Sequence, residues 1–300
     1  MLNNIPKWDD YKTFRKINDK EFEKEIKSLI KWDANENKLK IIGNKIIYHY
    51  QFENIAKTKG DNGKTKSFYE WLNDETLRNK LYEMMLKRNR KSQDVLSNMF
   101  EALRANKGSI VIFRPSTAKF IYKYYKATNV LDFTAGWGGR LLGAFSLNIG
   151  YTGIDTNIEL KTGYDKMIND LSKYHKDERL FYNNKYKMIY QNCLDVDLSK
   201  IEFDLVLTSP PYENLEIYQN MNVFKNRDDF YINFLIEMLN RCNKYIKNNG
   251  WICINMSGKM YEILTTIYKY KVCDETHILP QCKNQKNPNK IDYIYCWKKF

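Results

Sequence analysis

Residues 204–212 read Asp-Leu-Val-Leu-Thr-Ser-Pro-Pro-Tyr, a short apolar strand that runs straight into Ser209, Pro210, Pro211 and Tyr212. Two successive prolines cannot continue a sheet ladder, because both lack the N–H and both fix φ. The chain must leave the sheet at Ser209 in a stiff, extended loop. Its carbonyls turn away from strand pairing and the Tyr212 ring stands beside them. Such a loop suits gripping one flat polar group, and a nucleobase with an exocyclic amino group fits that description. The amino nitrogen of a base is a poor nucleophile, since its lone pair is delocalised into the ring. A site that alkylates it must accept the amino hydrogens and draw the nitrogen toward tetrahedral geometry. The Ser209 side chain and the Pro210 carbonyl are suitable acceptors. Tyr212 can stack on the base, an interaction of about 1–3 kcal/mol. The plainer alternative is a proline-terminated strand followed by a surface loop.

A second stretch, Leu131-Asp-Phe-Thr-Ala-Gly-Trp-Gly-Gly-Arg140, ends one strand and opens a helix. Gly136, Gly138 and Gly139 let the backbone turn sharply and approach a ligand closely. Asp155 stands at the end of the next strand, where an acidic residue typically accepts the ribose hydroxyls of a nucleotide-like cofactor. A dinucleotide calls for Gly-x-Gly-x-x-Gly at the helix start, yet Gly136-x-Gly138 is followed by Leu141 where the third glycine belongs. S-adenosylmethionine needs only the close-approach turn and the carboxylate. A close-packed turn and a strand-end cap is the structural alternative.

These residues need elements to carry them. Three hundred residues allow one large domain, or one with a substantial appendage. An apolar share of 43% suffices for a normal core. No apolar run approaches the ~18–20 residues of a membrane helix, and Met1–Asp10 has no signal-peptide core, so a soluble, intracellular protein is expected. The six cysteines include no Cys-x-x-Cys pair, and neither a zinc site nor a disulfide framework is expected. The formal net charge of +13 points to a polyanion partner, most often nucleic acid.

Residues 1–106 read as a smaller, mainly helical, basic region. Helices are expected over Phe14–Lys31, Ser67–Asn89 and Ser92–Ala105, with a hairpin of Lys38–Ile42 and Lys45–Gln51 around Gly43-Asn44. The basic loop Lys57–Lys66 follows the hairpin. From residue 107 the rhythm becomes strand, helix, strand. Strands are expected at Ser109–Phe113, Val130–Phe133, Tyr151–Asp155, Lys187–Gln191, Phe203–Thr208, Trp251–Met256, Lys271–Leu279 and Ile291–Trp297. Helices are expected from a Ser116 cap to Lys126 and over Gly139–Leu147, Asn157–His175, Asp228–Lys247 and Lys259–Tyr268. Alternation of this kind implies an α/β fold with a mostly parallel sheet covered on both faces, and the last strand is suited to antiparallel pairing.

With both motifs placed, the chain resembles an S-adenosylmethionine-dependent amino-methyltransferase of the DNA N4-cytosine/N6-adenine group over residues 107–300. That family's cofactor motif, Asp-x-Phe-x-Gly-x-Gly, is matched by Asp132 to Gly138, and its catalytic motif, (Asp/Asn/Ser)-Pro-Pro-(Tyr/Phe), by Ser209 to Tyr212. The resemblance implies a Rossmann-like class I methyltransferase fold, with a seven-stranded mostly parallel sheet and an antiparallel last strand. It implies Ser209, Pro210, Pro211 and Tyr212 as catalytic residues, and Phe113, Asp132, Thr134, Gly136, Gly138, Asp155 and Asn192 as cofactor contacts. Phe113 belongs to a Phe-Arg-Pro-Ser run like the family's motif over the methionine end of the cofactor. Asn192 stands where the family commonly has an acidic residue facing the adenine. Trp137 and Asn192 depart from the family pattern. No metal is implied.

The expected substrate is DNA, with the target base flipped from the duplex at a cost of about a few kcal/mol. Glu213–Arg227, after the catalytic motif, is long enough to help. Within the family, Ser at the first motif position leans to N4-cytosine, with N6-adenine the alternative. There is no Pro-Cys dipeptide, which argues against ring-carbon methylation through a cysteine nucleophile. Further alternatives are an RNA amino-methyltransferase and an inactive nucleic-acid-binding protein of the same fold. Candidate sequence readers are the 57–66 loop, Lys87–Lys91 and the polar loop Lys283–Lys290. Recognition site, oligomeric state and any restriction partner are not legible.

Overall fold

The structure, a computed structural model, describes residues 5–35, 40–59, 65–88, 94–107, 111–174, 185–211, 224–279 and 292–300. Seven strands form one sheet: β1 (Asn129–Asp132), β2 (Gly150–Asp155), β3 (Tyr186–Tyr190), β4 (Leu205–Thr208), β5 (Trp251–Ser257), β6 (Glu275–Ile278) and β7 (Asp292–Lys298). Their order is β3-β2-β1-β4-β5-β7-β6. β1 to β5 pair parallel, while β7 runs antiparallel between β5 and β6. The mostly parallel sheet expected from the alternating elements, and the Rossmann-like arrangement implied by the resemblance, are therefore present, reversed strand included.

Burial on both faces explains the near-continuous apolar strands. Val130, Leu205, Leu207 and Cys253 face one core, while Leu131, Val206, Ile252 and Ile254 face the other. The first core is covered by α7 (Pro115–Tyr124), α8 (Gly139–Ser146) and α9 (Lys161–Leu171). The second is covered by Arg227–Phe230, Tyr231–Ile236 and Glu237–Tyr245, whose middle stretch is π-helical, and by Gly258–Thr266. Between β3 and β4 only two single-turn 3₁₀ segments, Cys193–Asp195 and Leu198–Lys200, are present. Beside them lies an open cleft of about 540 Å³ lined by Lys185, Lys187, Gln191 and Glu202 among others.

The N-terminal region contributes α1 (Trp8–Tyr11), α2 (Asp19–Lys31), α3 (Asn44–Lys57), α4 (Phe68–Asn73), α5 (Glu75–Leu86) and α6 (Val95–Lys107). The expected hairpin is not formed. Gly43 adopts φ +87° and starts α3, and 40–42 carries no strand. Ile46, Ile47, Gln51, Ile55 and Ala56, at helical spacing, are all buried. The single helix expected over Ser67–Asn89 is broken at Asp74, which ends α4 and caps α5 by accepting from the Leu77 N–H at 3.0 Å. The expected first strand is also absent over the described residues 111–113. Ser116 lies inside α7 rather than capping it, and its hydroxyl donates to the Lys40 carbonyl at 2.7 Å.

Two of the N-terminal helices share a core with the sheet. Phe22, Ile26 and Leu29 of α2 and Ile46, Ile47 and Ile55 of α3 cluster with residues of β1, α8 and α9. Lys119 is 3% exposed, and its ammonium donates to the carbonyls of Leu29, Ile30 and Trp32, each at 2.8 Å. Gln51 and Asn54 reach the carbonyls of Leu160 and Glu159. The remaining N-terminal helices close over a separate aromatic core built on Trp8, Tyr11, Phe52, Phe68, Trp71 and Phe100.

Candidate active site

In a parallel α/β sheet, ligands bind outside the carboxyl ends of the strands. The two motifs meet there because β1 and β4 are neighbours, with Leu131 in register with Val206. Asp132 at the tip of β1 is fully buried. One carboxylate oxygen accepts from Thr208 Oγ1 at 2.8 Å, and the other accepts from Arg140 Nε and Tyr151 OH, both at 2.6 Å. Because the Thr208 hydroxyl gives its only proton to Asp132, the 2.5 Å contact between Thr134 Oγ1 and Thr208 Oγ1 is donated by Thr134. The Thr134 N–H also donates to Thr208, at 3.2 Å. Asp132 thus ties the tips of β1 and β4 to β2 and α8, and the protein's own donors occupy its carboxylate.

Charge compensates within this knot. Burial works most strongly against the Arg140 guanidinium, but the Asp132 charge and hydrogen bond, together with the Tyr151 and Tyr122 hydroxyls, hold the pKa above the ordinary arginine value. Burial, followed by the Asp132 charge, pushes the Tyr151 and Tyr164 hydroxyls well above the usual tyrosine range, so both remain neutral donors. Arg140 also stands over the Phe113 ring, with Cζ 5.0 Å from the centroid.

Left-handed backbone shapes the glycine turn, with φ +60° at Gly136 and +95° at Gly138. A Cβ on Gly138 would lie 2.6 Å from Met167 Cε, and one on Gly139 only 1.8 Å from the Phe113 carbonyl oxygen. Those two glycines admit close packing of α9 and of the segment before α7. Gly136 differs, since it is half-buried and a Cβ there would meet nothing nearer than 3.9 Å. The Gly136 N–H donates to Asp155 Oδ2 at 2.8 Å and the Asn157 N–H to Oδ1 at 2.9 Å. Tyr164 OH holds the turn from behind by donating to the Gly136 carbonyl at 2.9 Å. Burial pushes the Asp155 carboxyl up to about 6, against the pull of those two N–H bonds.

Ser209 is half-buried beyond β4 and donates from Oγ to Asn255 Oδ1 on β5 at 3.0 Å. Pro210 is buried and Pro211 half-buried. Tyr212 and most of Glu213–Arg227 lie outside the described residues, as do 60–64 of the basic loop, 89–91 of the Lys87–Lys91 run and the 283–290 loop. Asn192 follows β3, and its Oδ1 accepts from the Leu194 N–H at 3.0 Å, capping its own turn. Phe113, Asp132, Thr134, Gly136, Gly138 and Asp155 are thus gathered at one end of the sheet with Ser209 and Pro210. The 540 Å³ cleft includes none of them. Sequence reasoning missed Arg140, Tyr151, Tyr164, Thr208 and Asn255. Asn255 left a signal as a lone polar residue within the apolar run 251–256.

S-adenosylmethionine fits these residues. A side chain at Gly136 would meet no crowding, and among the described residues each Asp155 oxygen accepts one N–H, which leaves lone pairs for hydroxyl donors. Among the described residues, no group of three His, Cys, Asp or Glu side chains is placed to hold a metal ion. Nor is any described helix long and apolar enough to cross a membrane.

A sheet ordered β3-β2-β1-β4-β5-β7-β6 with only β7 reversed is the Rossmann-like architecture of class I methyltransferases. More specifically, residues 203–299, from β4 to the end of β7, match the N6/N4 methyltransferase family, described as DNA methylase. The amino-methyltransferase resemblance read from the motifs is met over that segment. Similar solved structures include an RNA methyltransferase from Salinibacter ruber in complex with S-adenosyl-L-homocysteine, 10% identical, with a TM-score of 0.39 over 63% of this chain and 94% of that one. A methyltransferase from Geobacter sulfurreducens is 12% identical, with a TM-score of 0.40 over 72% and 97%. A precorrin-6y C5,15-methyltransferase from Geobacter metallireducens is 12% identical, with a TM-score of 0.39 over 62% and 90%. None of the curated proteins compared with the chain matches it.

Proposed function

We propose that this chain is an S-adenosylmethionine-dependent methyltransferase that acts on DNA and methylates an exocyclic amino group of a flipped base, N4 of cytosine in preference to N6 of adenine. The observation that carries the reading is the joining of the two tips through Asp132, Thr134 and Thr208. It sets the glycine turn and the Ser209-Pro210-Pro211 loop side by side, as transfer between two bound molecules requires. Asp155 accepts from the ribose hydroxyls, and the lack of a side chain at Gly136 lets the cofactor lie against the backbone. Phe113, held beside Arg140, borders the turn, and Asn192 stands at the tip of β3 on the adenine side. Asp132 and Thr134 act by holding the turn in place, and Gly138 by allowing α9 to pack beneath it. When bound, S-adenosylmethionine supplies an electrophilic methyl group on sulfur. Ser209 Oγ and the Pro210 carbonyl accept the amino hydrogens of the base, localising its lone pair. Tyr212 stacks on the ring.

The matched DNA-methylase segment and the +13 net charge support DNA as the partner. The test is methyl transfer from labelled S-adenosylmethionine to plasmid duplex, single-stranded DNA and RNA, followed by nucleoside digestion and mass spectrometry. N4-methylcytosine from duplex DNA is the expected product, and Ser209→Ala should lower the rate at least about tenfold, the scale of one lost hydrogen bond. Label recovered only in N6-methyladenine would reverse the choice of base, and label only in RNA the choice of substrate. Cofactor binding with no transfer to any of the three would leave a nucleic-acid-binding protein.

A further inference from the structure

Asn255 lies on β5 one residue beyond Ile254, which is in register with Thr208 of β4. It is therefore the lateral neighbour of Ser209, where β4 ends and the proline loop begins. The side chain is 4% exposed. Its Nδ2 donates to the Tyr293 carbonyl on β7 at 3.1 Å, and its Oδ1 accepts from Ser209 Oγ at 3.0 Å. The amide cannot be reversed, since a flipped side chain would set its oxygen against the Tyr293 carbonyl, an acceptor facing an acceptor. The Tyr293 carbonyl thus fixes which atom of Asn255 faces Ser209, and that atom has no proton to give.

A serine hydroxyl has one proton and two lone pairs. With its proton committed inward to Asn255, Ser209 presents only lone pairs to whatever lies beyond the β4 tip. We infer that Asn255 is a positioning residue that turns Ser209 into a pure hydrogen-bond acceptor, selecting a substrate group that donates, an NH₂, over one that only accepts. The inference rests on the reading of Ser209 as a substrate contact and adds how that contact acquires its polarity. Without Asn255, the hydroxyl is free to rotate and to donate outward, so the productive orientation becomes one of several.

The test is a double-mutant cycle on methyl transfer to plasmid DNA, using Ser209→Ala, Asn255→Leu and the double variant, with S-adenosylmethionine affinity measured by calorimetry in each. If Asn255 works through Ser209, Asn255→Leu lowers kcat by about the same factor as Ser209→Ala, at least about tenfold. The double variant is then no worse than Ser209→Ala, and cofactor affinity stays within about twofold. Losses that multiply overturn the assignment and leave Asn255 a strand tie. Asn255→Asp separates the two bonds if the leucine variant folds poorly. The carboxylate still accepts from Ser209 but cannot donate to Tyr293, so kcat should stay within about threefold of the unsubstituted chain while the melting temperature falls. A kcat as low as that of Ser209→Ala would overturn the inference. Undiminished transfer by Ser209→Ala, or none by the unsubstituted chain, instead sinks the underlying reading of the site.

Discussion

Asp155 carries a clear pH signature. Its carboxyl titrates at about 6 instead of the ordinary 3.8, chiefly because burial disfavours the charge. The nearby Asp132 carboxylate adds to the rise and the Arg140 guanidinium opposes it. A carboxylate can accept two hydroxyl protons while also receiving the Gly136 and Asn157 N–H groups, whereas the protonated acid has given up one acceptor position. Binding of S-adenosylmethionine should therefore need the ionised form, strong above pH 6 and weakening as pH falls through it. At pH 5, about one unit below the midpoint, roughly one-tenth of the sites are ionised, and affinity should drop about tenfold. Calorimetric titration from pH 5 to 8 measures this directly. Asp155→Asn should bind weakly at every pH with no inflection near 6. A flat affinity profile for the unsubstituted chain would show that Asp155 does not touch the cofactor.

Strands were the more legible elements because buried parallel strands are short apolar runs ended by polar or turn residues, and β1, β2, β4 and β5 all read that way. The helix α3 is hidden in the sequence because Gly43-Asn44 between β-branched and aromatic residues imitates a hairpin turn. What decided otherwise is tertiary. Ile46, Ile47 and Ile55 are buried against the sheet's helical layer, and that burial overrides local strand preference. The same divide runs through the site. Pro-Pro and clustered glycines betray themselves by type, so Ser209, Gly136 and Gly138 stand out in the sequence as candidates. Thr208, Tyr151 and Asn255 are ordinary residues in ordinary strands, and their roles appear only once strand order makes β4 the neighbour of both β1 and β5. Lys119 on α7 is a similar case, one lysine among many until its ammonium is seen to gather three carbonyls at the end of α2. Replacing it by Met keeps the aliphatic stem and removes every donor. The Leu29 carbonyl side is buried, so Lys119→Met should cost about 1–3 kcal/mol, seen as a lower denaturant midpoint with an unchanged slope. A loss within a few tenths of a kcal/mol would mean that water serves those carbonyls equally well.

Taken as a whole, the molecule places a boundary in sequence where packing has none. Composition separates residues 1–106 from the strand-and-helix repeat that follows, and an appended target reader would be expected to fold apart from the catalytic sheet. Instead, α2 and α3 contribute Phe22, Ile26, Leu29, Ile46, Ile47 and Ile55 to the core that also holds Val130, Leu141, Tyr164 and Met167. Tyr50 OH donates to Asp170 on α9 at 2.8 Å, and Gln51 is buried against the start of that helix. These helices support α9, whose Tyr164 braces the glycine turn and whose Met167 fills the space beneath Gly138. Removing them would expose a broad apolar surface on α8 and α9 and withdraw support from the turn. A chain of residues 107–300 expressed alone should therefore aggregate, or unfold without a cooperative transition, and should fail to bind S-adenosylmethionine. Extending it back to residue 17 restores α2 and α3 and should restore both properties. Sedimentation, thermal unfolding and cofactor calorimetry on the two fragments decide the matter. A soluble 107–300 fragment that melts cooperatively and binds the cofactor normally would show that the N-terminal helices are an appendage.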